Sequence, residues 1–138
     1  MSLHLDYVAL CGSILSTNKN IQSVTLINRQ GRAVEQISRS KFTNQFPDYM
    51  SEMFFMQCVL QVSMGRDFDE QYGPINYYIS ERDNLTLLTF PIDDHIILVT
   101  VNKNVSPISL ARKIVNTIND HRKQPHDIGS SKITLCKS

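Results

Sequence analysis

Three observations predict an α+β domain whose antiparallel sheet is covered on both faces. First, the strand-like runs 75–80, 85–90 and 96–101 follow one another across short turns, and short turns impose antiparallel pairing. Second, Ile96 and Leu98 point to one face of the last run while Ile97, Val99 and Val101 point to the other, so neither face can be left in water. Third, residues 48–64 contain no Pro or Gly and are apolar on two sides of a helix, not one. A sheet apolar on both faces needs helices on each side, or a helix on one side and a partner on the other.

In chain order, residues 3–17 read as a first helix. Leu3, Tyr7, Leu10 and Ile14 recur at helical spacing, and Leu5, Val8 and Leu15 widen that face. Ser2 is the expected N-cap, and Asp6 suits the positive end of the helix dipole. Asn18-Lys19-Asn20 supplies the stop, because Asn tolerates the left-handed conformation at a helix end. Residues 22–28 are rich in β-branched side chains and form a strand. Arg29-Gln30-Gly31-Arg32 turns, with Gly31 free to take a positive φ. Residues 33–38 return as a shorter, more polar strand suited to a sheet edge.

Residues 39–46 are a polar connection, and Pro47 fits the first turn of the middle helix. That helix carries four of the five methionines and two of the six phenylalanines. Tyr49, Met53, Met56, Leu60 and Met64 make one stripe. Phe55, Val59 and Val62 make another. Met53, Met56 and Met64 are expected in the core, since Met fills irregular gaps. Phe54, Phe55, Val59 and Val62 are expected to meet a second chain. Residues 65–74 read as a loop in which Phe68 and Tyr72 tuck against the sheet. After the three later strands, Ser106-Pro107 opens a last helix with an ordinary single stripe of Ala111, Ile114, Val115 and Ile118. Residues 1–123 therefore form one domain, and 124–138 a polar, mobile tail.

The totals fit one soluble globular domain: 138 residues, 41% hydrophobic, 20% charged and a net charge of +1. That balance argues against a nucleic-acid or membrane-surface binder, whose Lys and Arg would gather in a basic stripe. No apolar run approaches the roughly 20 residues needed to cross a bilayer. Three widely spaced cysteines, Cys11, Cys58 and Cys136, read as reduced thiols of a cytoplasmic protein.

The order helix, strand, strand, helix, three strands, helix resembles the roadblock/dynein light-chain family. The likeness covers residues 3–121. It is carried by Ser23-Val24-Thr25-Leu26-Ile27-Asn28-Arg29-Gln30-Gly31, similar to the family's first hairpin, and by Leu85 to Val101 with the last helix. The chain is also similar to small archaeal proteins. Two features depart from the family pattern: a middle helix rich in Met and Phe where small residues are usual, and a long segment from Gly65 to Pro74. The resemblance implies a five-stranded antiparallel sheet, with the first and last helices on one face and the middle helix on the other. It implies a homodimer joined through the middle helices and the strand at 75–80, so Tyr77 and Tyr78 join Phe54, Phe55, Val59 and Val62 as expected interface residues. It also implies a scaffold or regulator, often of a small Ras-like GTPase, with no cofactor, metal or catalytic residues of its own.

The residues that could carry chemistry have simpler explanations. Asp93-Asp94-His95 could place a base or metal ligand, but Asp is also a turn former. Asp67, Asp69 and Glu70 gather oxygens without the Gly and distant Glu of a calcium loop. His121 and His126 lack a third ligand. Two rivals to an interaction module remain. A profilin- or PAS-like small-molecule sensor would enclose a pocket between sheet and middle helix, with Tyr77 or Tyr78 offering a polar contact. An enzyme using Asp94, His95 or a cysteine would need polar groups converging in a cleft.

Overall fold

The computed structural model describes residues 6–39 and 48–123. Its strands are β1 (Ile21–Ile27), β2 (Ala33–Ser38), β3 (Tyr78–Glu81), β4 (Thr86–Ile92) and β5 (His95–Val101). They form one antiparallel sheet in the order β2-β1-β5-β4-β3. Helix α1 is Tyr7–Ser16, α2 is Asp48–Gly65 and α4 is Pro107–Lys123. Between α2 and β3 lie a 3-10 turn at Arg66–Phe68 and the one-turn helix α3, Asp69–Tyr72. Ser2, Leu3, Leu5, Pro47, His126, Cys136 and the tail fall outside the described residues.

The sheet has two unlike faces. On one, Val24, Leu26, Leu88, Phe90, Ile97 and Val99 pack against Leu10, Cys11 and Ile14 of α1 and Leu110, Ala111, Ile114 and Ile118 of α4. On the other, Ile27, Leu87, Ile96 and Leu98 pack against Cys58 and Val62 of α2. The two-plus-one layering and the alternation along β5 are as expected. The α2 face is only half apolar, however. Ser23 and Thr25 point the same way as Ile27 and are satisfied by hydroxyl and amide partners: Ser23 Oγ lies 2.7 Å from Thr100 Oγ1, and Gln36 Nε2 donates to Thr25 Oγ1 at 3.0 Å.

Several boundaries differ from the sequence expectation for local reasons. The N-cap of α1 is Asp6, whose carboxylate accepts from Ala9 N at 3.1 Å. Val8 is exposed and does not widen the buried face of α1. Asn18 ends the helix without left-handed backbone; its side chain accepts from Asn20 N at 2.8 Å, an Asx turn. The turn between β4 and β5 is only two residues, Asp93 and Asp94, and Asp93 takes φ 54. Pro91 thus lies inside β4. It has no N–H to offer a neighbour, and β3 pairs no further along β4 than Thr89.

Arg39 joins α1 to β1 just past β2. Its Nη2 donates to the carbonyls of Leu15 at 2.7 Å and Asn18 at 2.9 Å, and its Nε to Ile21 O at 2.8 Å. These oxygens include one the end of α1 leaves unpaired, and a cation there also suits the helix dipole. Arg39→Met keeps the aliphatic stem but removes all three donations; Asn18 O retains only the Ile21 N–H, at 3.2 Å. The substitution is expected to lower the unfolding free energy by about 2 kcal/mol in urea titration.

Candidate functional site

Helix α2 lies on the sheet by one side only. Cys58 and Val62 are buried, and Phe54, Phe55 and Val59 are half-buried against the same cluster. On the opposite side Met53, Leu60 and Met64 are 61%, 53% and 65% exposed, with Met50 and Met56 beside them. The helix does carry two opposed apolar stripes. Their assignment is the reverse of the expectation: the methionine stripe faces out, and the Phe/Val stripe faces the core. Val62, at 4% exposed, is closed inside the protomer. The residue types held the signal. Cys, Val and Phe are found fully buried more often than Met, and that ranking favours the stripe containing Cys58.

Exposed apolar side chains also follow the helix. Phe68 and Tyr72 stand out into solvent instead of tucking against the sheet. The 3-10 turn and α3 hold them there, where a plain loop was expected. Together with Gly65, Gly73 and Ile75 they line a shallow apolar dish at the C-terminal end of α2. Large exposed apolar surfaces on soluble proteins mark contact sites.

Two glycines let neighbouring elements approach α2. Gly31, φ 78, lies under Met56, and a Cβ there would stand 2.9 Å from Met56 Cε and 3.4 Å from its Cα. Gly65 closes the helix, where a Cβ would collide with Tyr78 Oη and Ile75 Cδ1. Tyr78 uses that space to donate its hydroxyl to Gln61 O at 3.2 Å. The strand period separates the two tyrosines. Tyr78 packs under α2, whereas Tyr77 meets Phe90 on the other face of the sheet in a tilted ring contact, centroids 6.1 Å apart. Of the six expected interface residues, four lie on the sheet-facing side of α2, Tyr78 lies beneath that helix, and Tyr77 lies on the opposite face.

Asp93 is a structural turn residue. Arg66 Nη2 donates to its carbonyl at 3.0 Å and Arg122 Nη2 to its carboxylate at 2.9 Å. His95 lies against the Tyr7 ring, centroids 4.9 Å apart, and His121 Nε2 is 3.0 Å from Ser13 Oγ. Burial, reinforced by Asp93, pushes the Tyr7 phenol above its ordinary range. No group of three metal-ligating side chains occurs among the described residues, and no helix among them is long and apolar enough to cross a membrane.

Cys11 and Cys58 are buried thiols, each pushed up to about 11 by burial. Above pH 9 the unfolded chain releases thiol protons that the folded chain keeps. Stability is therefore complete below pH 9 and falls between pH 9 and 11, by up to about 1.4 kcal/mol per pH unit for each thiol. Urea titrations at pH 8 and pH 10.5 should show this loss, and a Cys11→Ala, Cys58→Ala variant should reduce it.

No family model and no curated protein matches the sequence. Solved structures do match. A roadblock/LC7 domain from Streptomyces avermitilis superposes with a TM-score of 0.61 at 13% identity, over 86% of this chain and 94% of that one. The chain has the roadblock/LC7 fold. Myxococcus xanthus MglB shares this fold with it at a TM-score of 0.59 and 13% identity, over 89% of this chain and 94% of MglB. A further MglB structure, described with a tetrameric arrangement, matches at a TM-score of 0.56 and 8% identity, over 83% of this chain and 88% of that one. At such identities the roadblock/LC7 likeness is one of backbone path.

Proposed function

We propose that this chain is a non-enzymatic, dimeric protein-interaction module, a scaffold or regulator whose partner is a small Ras-like GTPase. The observation that carries this reading is the outward stripe of α2, since Met53, Leu60 and Met64 stay exposed after the protomer has satisfied its own core. A second copy of the same helix offers a matching apolar surface, and a two-fold contact buries both at once. Strand β3 lies beside it at the sheet edge, paired on one side only with β4, so it can extend the interface by strand pairing. The roadblock/LC7 fold supports the regulatory half of the proposal, and the tetrameric arrangement of an MglB structure supports self-assembly.

The sensor alternative draws less support. The space between sheet and α2, where its pocket was expected, is packed by Cys58, Val62, Leu87 and Leu98, and the Tyr78 hydroxyl is already engaged.

Sedimentation velocity should give a dimer at micromolar concentration, and a strict monomer would overturn the assembly. Pull-downs from native extract, run with GDP and with a non-hydrolysable GTP analogue, should recover a GTP-binding protein in one nucleotide state. Recovery indifferent to nucleotide would remove the GTPase from the proposal.

A further inference from the structure

The C-terminal ends of α2 and α4 lie side by side. Arg66, the residue after Gly65, and Arg122, the residue before Lys123, both reach Asp93. The apolar dish of Gly65, Phe68, Tyr72, Gly73 and Ile75 opens at this same end, and Ile75 also lines the cleft that Arg66 and Arg122 share. Residues 124–138 therefore leave α4 close to the dish.

The dish is apolar and open. Phe68 is 59% and Tyr72 85% exposed. The same turn and short helix carry Asp67 and Glu70, both exposed and in no ion pair among the described residues. A matching occupant brings apolar side chains flanked by positive charge. Lys132-Ile133-Thr134-Leu135-Cys136-Lys137 has that composition. In an extended chain Ile133 and Leu135 fall on one side, with a lysine before and after them. The other candidate segments fit less well. Residues 40–47 run from β2 to the far end of α2, a helix about 27 Å long. Residues 1–5 contain no Lys or Arg.

We propose that segment 132–137 docks on the dish of its own protomer. Ile133 and Leu135 rest on Phe68, Tyr72 and Ile75, and Lys132 and Lys137 stand beside Asp67 and Glu70. Reach is not limiting, because residues 124–131 span up to about 30 Å when extended. Strong binding is not required either. A short tether holds the segment at roughly millimolar effective concentration, so a contact too weak to hold the free peptide still closes within one chain. A partner that uses the same two rings has to displace the segment first, which sets a threshold for binding there.

The test uses the full chain with Gln71→Cys, at an exposed position next to Tyr72, and the native thiol of Cys136. Cys11 and Cys58 are buried and stay out of the exchange. In a glutathione redox buffer, the yield of disulfide between position 71 and Cys136 reports the effective concentration of one thiol around the other. Ile133→Ser with Leu135→Ser keeps the reach of the chain and removes the apolar anchors. In the Gln71→Cys background it should lower that effective concentration about tenfold or more. Lys132→Glu with Lys137→Glu should lower it about threefold at low salt, and by less at high salt. Circular dichroism should show the same fold throughout. In the chain without Gln71→Cys, the amide resonances of residues 65–75 should move when Ile133 and Leu135 are replaced by Ser, and those of α1 should not. An unchanged disulfide yield in either double variant would overturn the proposal. So would unmoved resonances, or a disulfide that forms only between two chains. The disulfide is read within one chain by mass, so the result does not depend on whether the chain dimerises.

Discussion

Leu60→Glu with Met64→Glu should give a folded monomer. Both side chains are more than half exposed in the protomer, so two charges there cost the isolated fold little. In a two-fold dimer each position occurs twice. Each buried Leu or Met contributes about 1.5–3 kcal/mol, so removing four of them weakens association about a thousandfold or more. Sedimentation velocity should therefore show a monomer at concentrations where the wild type is dimeric, with an unchanged far-ultraviolet circular dichroism spectrum. The Phe55→Asp, Val59→Asp pair is the informative contrast. Those side chains pack on Ile27, Leu87 and Leu98, so charges there should unfold the protomer itself. If the outward pair stays dimeric while the fold is intact, the stripe is not the interface.

That contrast also marks how far the residues alone could be read. Element order and sheet layering were legible because they depend on period and on turn chemistry. Ile96 to Val101 alternate, Gly31 permits one turn, and Ser106-Pro107 opens α4, each within a few residues of chain. The direction in which α2 faces was not legible from its two stripes. Period locates a stripe but does not orient it; orientation depends on which side chains fit the hollow between Ile27, Leu87 and Leu98. Cys58 and Val62, being compact, fit there, and the longer methionines do not need to. The segment from Gly65 to Pro74 misled for a related reason. Gly65 and Gly73 read as loop punctuation, yet Gly65 closes α2 against Tyr78 and Ile75. Arg66 and Arg122 meet at Asp93 from distant parts of the sequence, and no local pattern announces such a meeting.

Gly31→Val should be among the most destabilising single changes outside the sheet core. Two independent costs meet at this position. A β-branched residue resists the left-handed backbone that φ 78 requires, at about 1–2 kcal/mol. Its Cβ would also press on Met56, at 2.9 Å from the flexible Cε and 3.4 Å from the helix backbone at Cα. The first contact yields if the side chain swings away; the second yields only if α2 lifts from the hairpin. Together they should remove about 3 kcal/mol and lower the melting temperature by about 10 °C. Gly31→Asn separates the two causes, because Asn tolerates the left-handed region but still carries a Cβ. If crowding against α2 dominates, Asn should cost nearly as much as Val, and Met56→Ala should recover part of the loss in either background. An Asn variant as stable as the wild type would assign the cost to the backbone alone and would show that the hairpin does not hold α2 in place.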